Sequence, residues 1–150
     1  MNTELKIGQV LWLKVRYQID VISTIKHPMI VAKITQDYIE VIALDKTSDR
    51  LYQLFHHYNY YINCSNHKGS VICENSCAQL NTKLTIQNFP ELIKSRYSVN
   101  TLSKNKLNNL LLAYDNYQSR YNIEEHRIVF MTKEEIIELN PELKNEKLPV

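Results

Sequence analysis

The chain has 150 residues, 44% of them hydrophobic and 23% charged, which suits one globular domain long enough to bury a core. A formal charge of +2 is too small for a protein that grips a polyanion over a whole face, so any nucleic-acid contact has to come from a local patch. With only Gly8 and Gly69, the chain lacks glycine-rich phosphate loops, which sets aside kinase, P-loop and dinucleotide-binding enzymes.

No apolar run reaches the roughly 18 to 20 residues of a membrane span, and no long apolar segment follows a basic start at the N-terminus. The three cysteines, Cys64, Cys73 and Cys77, cannot all pair within one chain. Together these features point to the reducing cytoplasm.

The first element follows Gly8. Leu11, Leu13, Val15 and Tyr17 recur at period two, with Lys14 and Arg16 on the other face beside Val10 and Trp12, so 10–17 is predicted as a strand. Residues 18–25 are irregular and read as a long loop or hairpin. His27 precedes a proline, which biases it to an extended conformation, and Pro28 suits the first position of a strand. Residues 29–34 then form a strand buried on both faces. The polar residues 35–37 have hairpin length, and Ile39, Val41 and Ala43 alternate with Glu40, Ile42 and Leu44 in the next strand, which should end near Asp45. Residues 46–50 form a polar loop.

Three further strands are predicted, at 58–64, 70–73 and 79–86, the last with Leu80, Thr82, Leu84 and Ile86 on one face. Strand-sized pieces separated by turns indicate a small barrel or sandwich. After Pro90 the period changes. Ser103 is an N-cap, and Leu107, Leu110, Leu111, Tyr114, Tyr117 and Tyr121 recur at helical spacing, giving one amphipathic helix over 103–121. Residues 126–131 form a short strand, and Thr132 with Glu135 makes a capping box for a short helix that stops before Pro141. The expected organisation is a single domain over 1–150: a β core over 7–88, the helix, a C-terminal extension over 123–141, and a frayed tail over 142–150.

Three constellations could carry chemistry. Antiparallel pairing of the strand that starts at His27 with the next one brings Lys26 and His27 beside the end of that strand, where Asp45, Lys46, Thr47 and Ser48 follow. Cleavage of RNA through its 2′-hydroxyl needs a proton acceptor, a proton donor and positive charge on the phosphate. His27 can do either proton job, and Lys26 or Arg16 can hold the phosphate. The plainer reading is that these cations solvate a strand edge and His27 caps a turn. Second, His56, His57 and Tyr58, with Tyr60 and Tyr61, offer stacking surfaces for unpaired bases, although alternating tyrosines are also ordinary cross-strand core pairs. Third, Cys64, His67, Cys73 and Cys77 have ligand chemistry for zinc, but their spacing is imperfect and Cys73 sits in an apolar run where cysteine is a normal core residue. No metal or other cofactor is assigned.

With these residues laid out, the chain resembles the MazF/PemK family of toxin-antitoxin toxins. Four places carry the likeness: Gly8-Gln9-Val10-Leu11; His27-Pro28-Met29-Ile30-Val31, where the family shows Arg-Pro before an aliphatic strand; Ser70-Val71-Ile72-Cys73-Glu74 running to residues 79–84; and Leu102-Ser103 opening the helix that carries Leu107 and Leu111. The resemblance implies an SH3-like β-barrel with added helices and metal-independent cleavage of single-stranded RNA. It further implies a homodimer and inhibition by an antitoxin peptide. In that family the arginine before the proline and a Thr or Ser at the end of the following strand are central to cleavage. Here His27 stands at the arginine position, and Thr47 and Ser48 lie slightly beyond the strand end. The alternative is a catalytically silent member of the fold that binds nucleic acid or a protein.

Overall fold

The computed structural model describes residues 4–18, 21–46, 59–62, 76–96 and 103–144. It is mainly β with a few helices. The strands are β1 (Val10–Leu13), β2 (Arg16–Gln18), β3 (Val21–Ile22), β4 (His27–Ile34), β5 (Tyr38–Lys46), β6 (Asn59–Ile62), β7 (Ser76–Gln79), β8 (Lys83–Gln87) and β9 (Ile128–Met131). The helices are α1 (Lys104–Arg120) and α2 (Lys133–Leu139), with short 3-10 turns at Pro90–Ser95, Glu125–Arg127 and Pro141–Leu143. Among the described residues no helix is long and apolar enough to cross a membrane.

Seven strands form one sheet along the order β1-β4-β5-β7-β6, with β8 on β5 and β9 on β8. All its pairings are antiparallel except β8 with β9, which is parallel. The long strand β5 is the hub. Its first half pairs with β8, from Tyr38↔Gln87 to Val41↔Leu84, and its last residues pair with β7, from Leu44↔Ala78 to Lys46↔Ser76. No pairing among the described strands closes the sheet on itself.

Residues 29–34 lie in a strand, as expected, but only residues 29–32 are covered on both faces; Lys33 is exposed. Met29 and Val31 join Leu11, Leu13, Val15, Ile39 and Val41 in one cluster, which β8, β9 and α2 complete through Leu84, Ile86, Val129, Met131 and Ile136. Ile30 and Ala32 join Val10, Ile42 and Leu44 in a second, which Leu110 and Tyr114 of α1 complete. A register shift between Val31 and Lys33 interrupts the alternation. It lets Lys33 reach Asp115 of α1 while the next residue, Ile34, packs with the first cluster.

Gly8 sets the approach of α1. Its φ of +95° is a left-handed conformation, and a Cβ there would lie 2.5 Å from the Leu107 Cδ2 atom. The Gly8 N–H donates to the Val31 carbonyl at 2.8 Å, tying this turn to β4.

Two predicted strands are broken, in each case because side chains take up their backbone groups. The run 10–17 divides into β1 and β2. Lys14 N–H donates to Asn140 Oδ1 and Asn140 Nδ2 donates back to Lys14 O, both at 2.9 Å, while Val15 exchanges bonds with Ser23 through its N–H and carbonyl. Leu11, Leu13 and Val15 still share one core, so the face assignment survives the break. The run 79–86 divides into β7 and β8 at a turn over Leu80–Asn81. Gln118 Nε2 donates to the Leu80 and Thr82 carbonyls. Leu80 consequently packs with α1, whereas Leu84 and Ile86 belong to the other cluster.

The helices follow expectation. Ser103 caps α1, and Thr132 with Glu135 forms the complete capping box of α2. The start of the expected frayed tail differs. Leu143 is fully buried in the first cluster, and Glu142 pairs with Lys26. The expected strand at 70–73 lies outside the described residues, and β6 covers the middle of the strand expected over 58–64.

One buried polar contact joins α1 to the sheet. Glu40 is only 4% exposed, and the Tyr114 hydroxyl donates to its Oε2 at 2.5 Å. Burial, followed by the bond to Glu40, raises the Tyr114 pKa, so the hydroxyl stays protonated and keeps donating. Tyr114→Phe leaves a buried carboxylate without this donor and is expected to cost about 1–3 kcal/mol in urea unfolding. Tyr114→Phe combined with Glu40→Leu should recover most of that loss, because no unsatisfied polar group then remains.

Candidate nucleic-acid interface

The candidate site lies where β4 and β5 separate. Their ladder ends at Met29↔Ala43, while β4 continues back to His27 against Leu13 of β1 and β5 continues forward against β7. The gap is a cleft of about 330 Å³. Its floor includes Met29, Ala43 and Leu44, and Tyr17, His27 and Gln79 line it from three different strands.

A second wall comes from the segment that was irregular in sequence. β2 and β3 form a short hairpin, with Arg16↔Ile22 and Gln18↔Val21, anchored by the buried Ser23 hydroxyl, which accepts from Val15 N–H at 2.8 Å. Ile22 and Ile25, at 54% and 62% exposure, give the rim an apolar character. The cleft therefore combines apolar walls with a few polar groups, the usual composition of a small-ligand or base-sized subsite.

His27 is half-buried, and among the described residues no hydrogen bond or ion pair engages its imidazole. The two predicted phosphate ligands are brought to the same end of the molecule but are already occupied. Arg16 Nη2 donates to Glu135 Oε2 at 3.1 Å and to the Phe130 carbonyl at 3.2 Å. Lys26 Nζ is paired with Glu142. Sequence reasoning missed both carboxylates, as well as Tyr17, Ser23 and Gln79 as cleft residues. Glu135 and Glu142 lie more than a hundred positions from their partners, and no local pattern connects them.

Of the other predicted site residues, Lys46 is placed by its backbone at the end of β5, opposite Ser76. Thr47, Ser48, His56, His57 and Tyr58 lie outside the described residues. So do Cys64, His67 and Cys73, while Cys77 is buried in β7.

Both carboxylates, Glu135 and Glu142, are held below their ordinary range. For Glu135 the main cause is the hydrogen bond from Thr132 N–H, reinforced by Arg16. For Glu142 partial desolvation acts in the opposite direction, but the bond to Lys26, its own N–H and the charges of Lys26 and Lys14 outweigh it. A carboxyl with a lowered native pKa binds fewer protons folded than unfolded, so its stabilisation is complete above the unfolded value of about 4.3 and disappears as pH falls through the lowered native value. The urea midpoint is expected to fall below about pH 4.3, and to fall less in Glu135→Gln/Glu142→Gln. An identical acid profile for the double variant would show that the two contacts do not respond to pH in this way.

Comparison with family models, with curated proteins and with solved structures finds no match to this chain.

Proposed function

We propose that this protein is a metal-independent endoribonuclease of the MazF/PemK type, cleaving single-stranded RNA on an SH3-like frame as a cytoplasmic homodimer held in check by an antitoxin peptide. The observation that carries the proposal is the imidazole of His27 at the β4–β5 fork, unengaged among the described residues, with Arg16 and Lys26 at the same end of the sheet. In this reading the His27 imidazole takes the proton from the 2′-hydroxyl or returns one to the leaving 5′-oxygen. Arg16, Lys26 and Lys46 supply positive charge to the phosphate, and Thr47 or Ser48 supports the reacting oxygens. His56, His57 and Tyr58 stack on unpaired bases. What supports the SH3-like frame is the approach of the β2–β3 hairpin to the far edge of the main sheet: Arg16 N–H donates to Met131 Sδ and its guanidinium to Phe130 O, linking β2 to β9.

A second reading, a catalytically silent module that binds nucleic acid or a protein, is favoured by the prior engagement of Arg16 and Lys26 with Glu135 and Glu142. Induced expression with total RNA monitored separates the two. The enzyme reading expects fragmentation with the wild-type chain and intact RNA with His27→Ala; intact RNA in both leaves only the binding module.

A further inference from the structure

The contacts of the C-terminal segment fall on the cationic side of the fork. Glu135 reaches Arg16, Asn140 brackets the backbone of Lys14, and Glu142 reaches Lys26. We infer that Glu135 and Glu142 are built-in carboxylate competitors, occupying on Arg16 and Lys26 the places that RNA phosphates take when substrate binds. This rests on the reading of the fork as a single-stranded RNA site.

The backbone of the segment is fixed while its acidic side chains are exchangeable. Ile136, Asn140 and Leu143 are fully buried, so the segment stays docked. The Glu135 and Glu142 side chains are 40% and 48% exposed, and those of Arg16 and Lys26 are 23% and 34% exposed. Ion pairs of this exposure are weak and open readily, yet anchoring keeps each carboxylate at high effective concentration over its cation. An incoming phosphate must displace it, while a neutral ligand gains nothing. The device lowers affinity for short or weakly charged competitors more than for a strand that offers several phosphates at once.

The test is fluorescence anisotropy of the full-length protein with a labelled single-stranded 2′-O-methyl oligoribonucleotide, whose blocked hydroxyls prevent cleavage, across a salt series. Glu135→Gln keeps a side chain able to complete the capping box, and Glu142→Gln removes the charge paired with Lys26. Glu135→Gln/Glu142→Gln is expected to bind roughly tenfold more tightly near physiological salt, with a log–log salt slope steeper by about 1.4 for two released cations. Glu142→Gln alone should give about half the slope change, and it decides the matter if the double variant does not fold. Wild-type affinity and slope in the variants, with binding measurable, overturn the inference and leave the RNA site standing. No binding by wild type or variants overturns the RNA site and the inference with it.

Discussion

Leu143→Ala is expected to lower the unfolding free energy by about 2–5 kcal/mol, the range for truncating a fully buried leucine whose surroundings collapse only partly. Its immediate neighbours, Glu142 and Lys144, are charged, and from sequence the region reads as a tail. In the structure Leu143 closes the cluster formed by Leu11, Leu13, Val129 and Ile136, one turn beyond the Asn140 clamp on Lys14. The clamp fixes where residues 141–143 leave α2, and so delivers the leucine to the core beside α2 and the 3-10 turn at Pro90–Ser95. Urea unfolding measures the effect, with Glu142→Ala as a surface comparison expected to change stability by no more than about 1 kcal/mol. A Leu143→Ala change inside about 0.5 kcal/mol would mean that the C-terminal segment is an appendage rather than part of the core.

The second large effect is on chemistry. His27→Ala is expected to reduce RNA cleavage about 10²- to 10⁴-fold, the usual contribution of a positioned acid or base. If Lys26 and Arg16 hold the phosphate as proposed, the loss should appear in kcat more than in KM. The backbone of His27 is fixed by pairing with Leu13, so the side chain can be removed without disturbing the start of β4. Arg16→Ala makes a useful contrast. It breaks the contacts to Glu135 and Phe130 as well, so it should weaken folding and binding together.

What was legible in the sequence was local. The apolar run after Pro28, the alternation from Ile39 to Leu44, the caps at Ser103 and Thr132 and the helical spacing from Leu107 to Tyr117 each depend on neighbours a few positions away, and the structure has them. What was hidden depends on distant partners. Nothing near Lys14 announces that Asn140 will take both its backbone groups and end β1. Nothing near Leu80 shows that Gln118 will hold a turn there. The parallel pairing of β8 with β9 joins residues 45 positions apart, which periodicity cannot see. The site divides in the same way. Lys26, His27 and Arg16 were identified by residue type and brought to one end of the sheet, whereas their carboxylate partners belong to a segment that looked peripheral. The strand predicted before the irregular 18–25 stretch carried the right inward face, but residues 22–25 of that stretch proved to line the cleft.

The most direct measurement is cleavage of a short end-labelled single-stranded RNA by the purified full-length protein in EDTA, with the product ends identified. The proposed mechanism requires wild-type cleavage that leaves a 2′,3′-cyclic phosphate and a 5′-hydroxyl, and near-complete loss in His27→Ala at unchanged folding. Intact substrate with the wild type, or equal cleavage by both proteins, would contradict it.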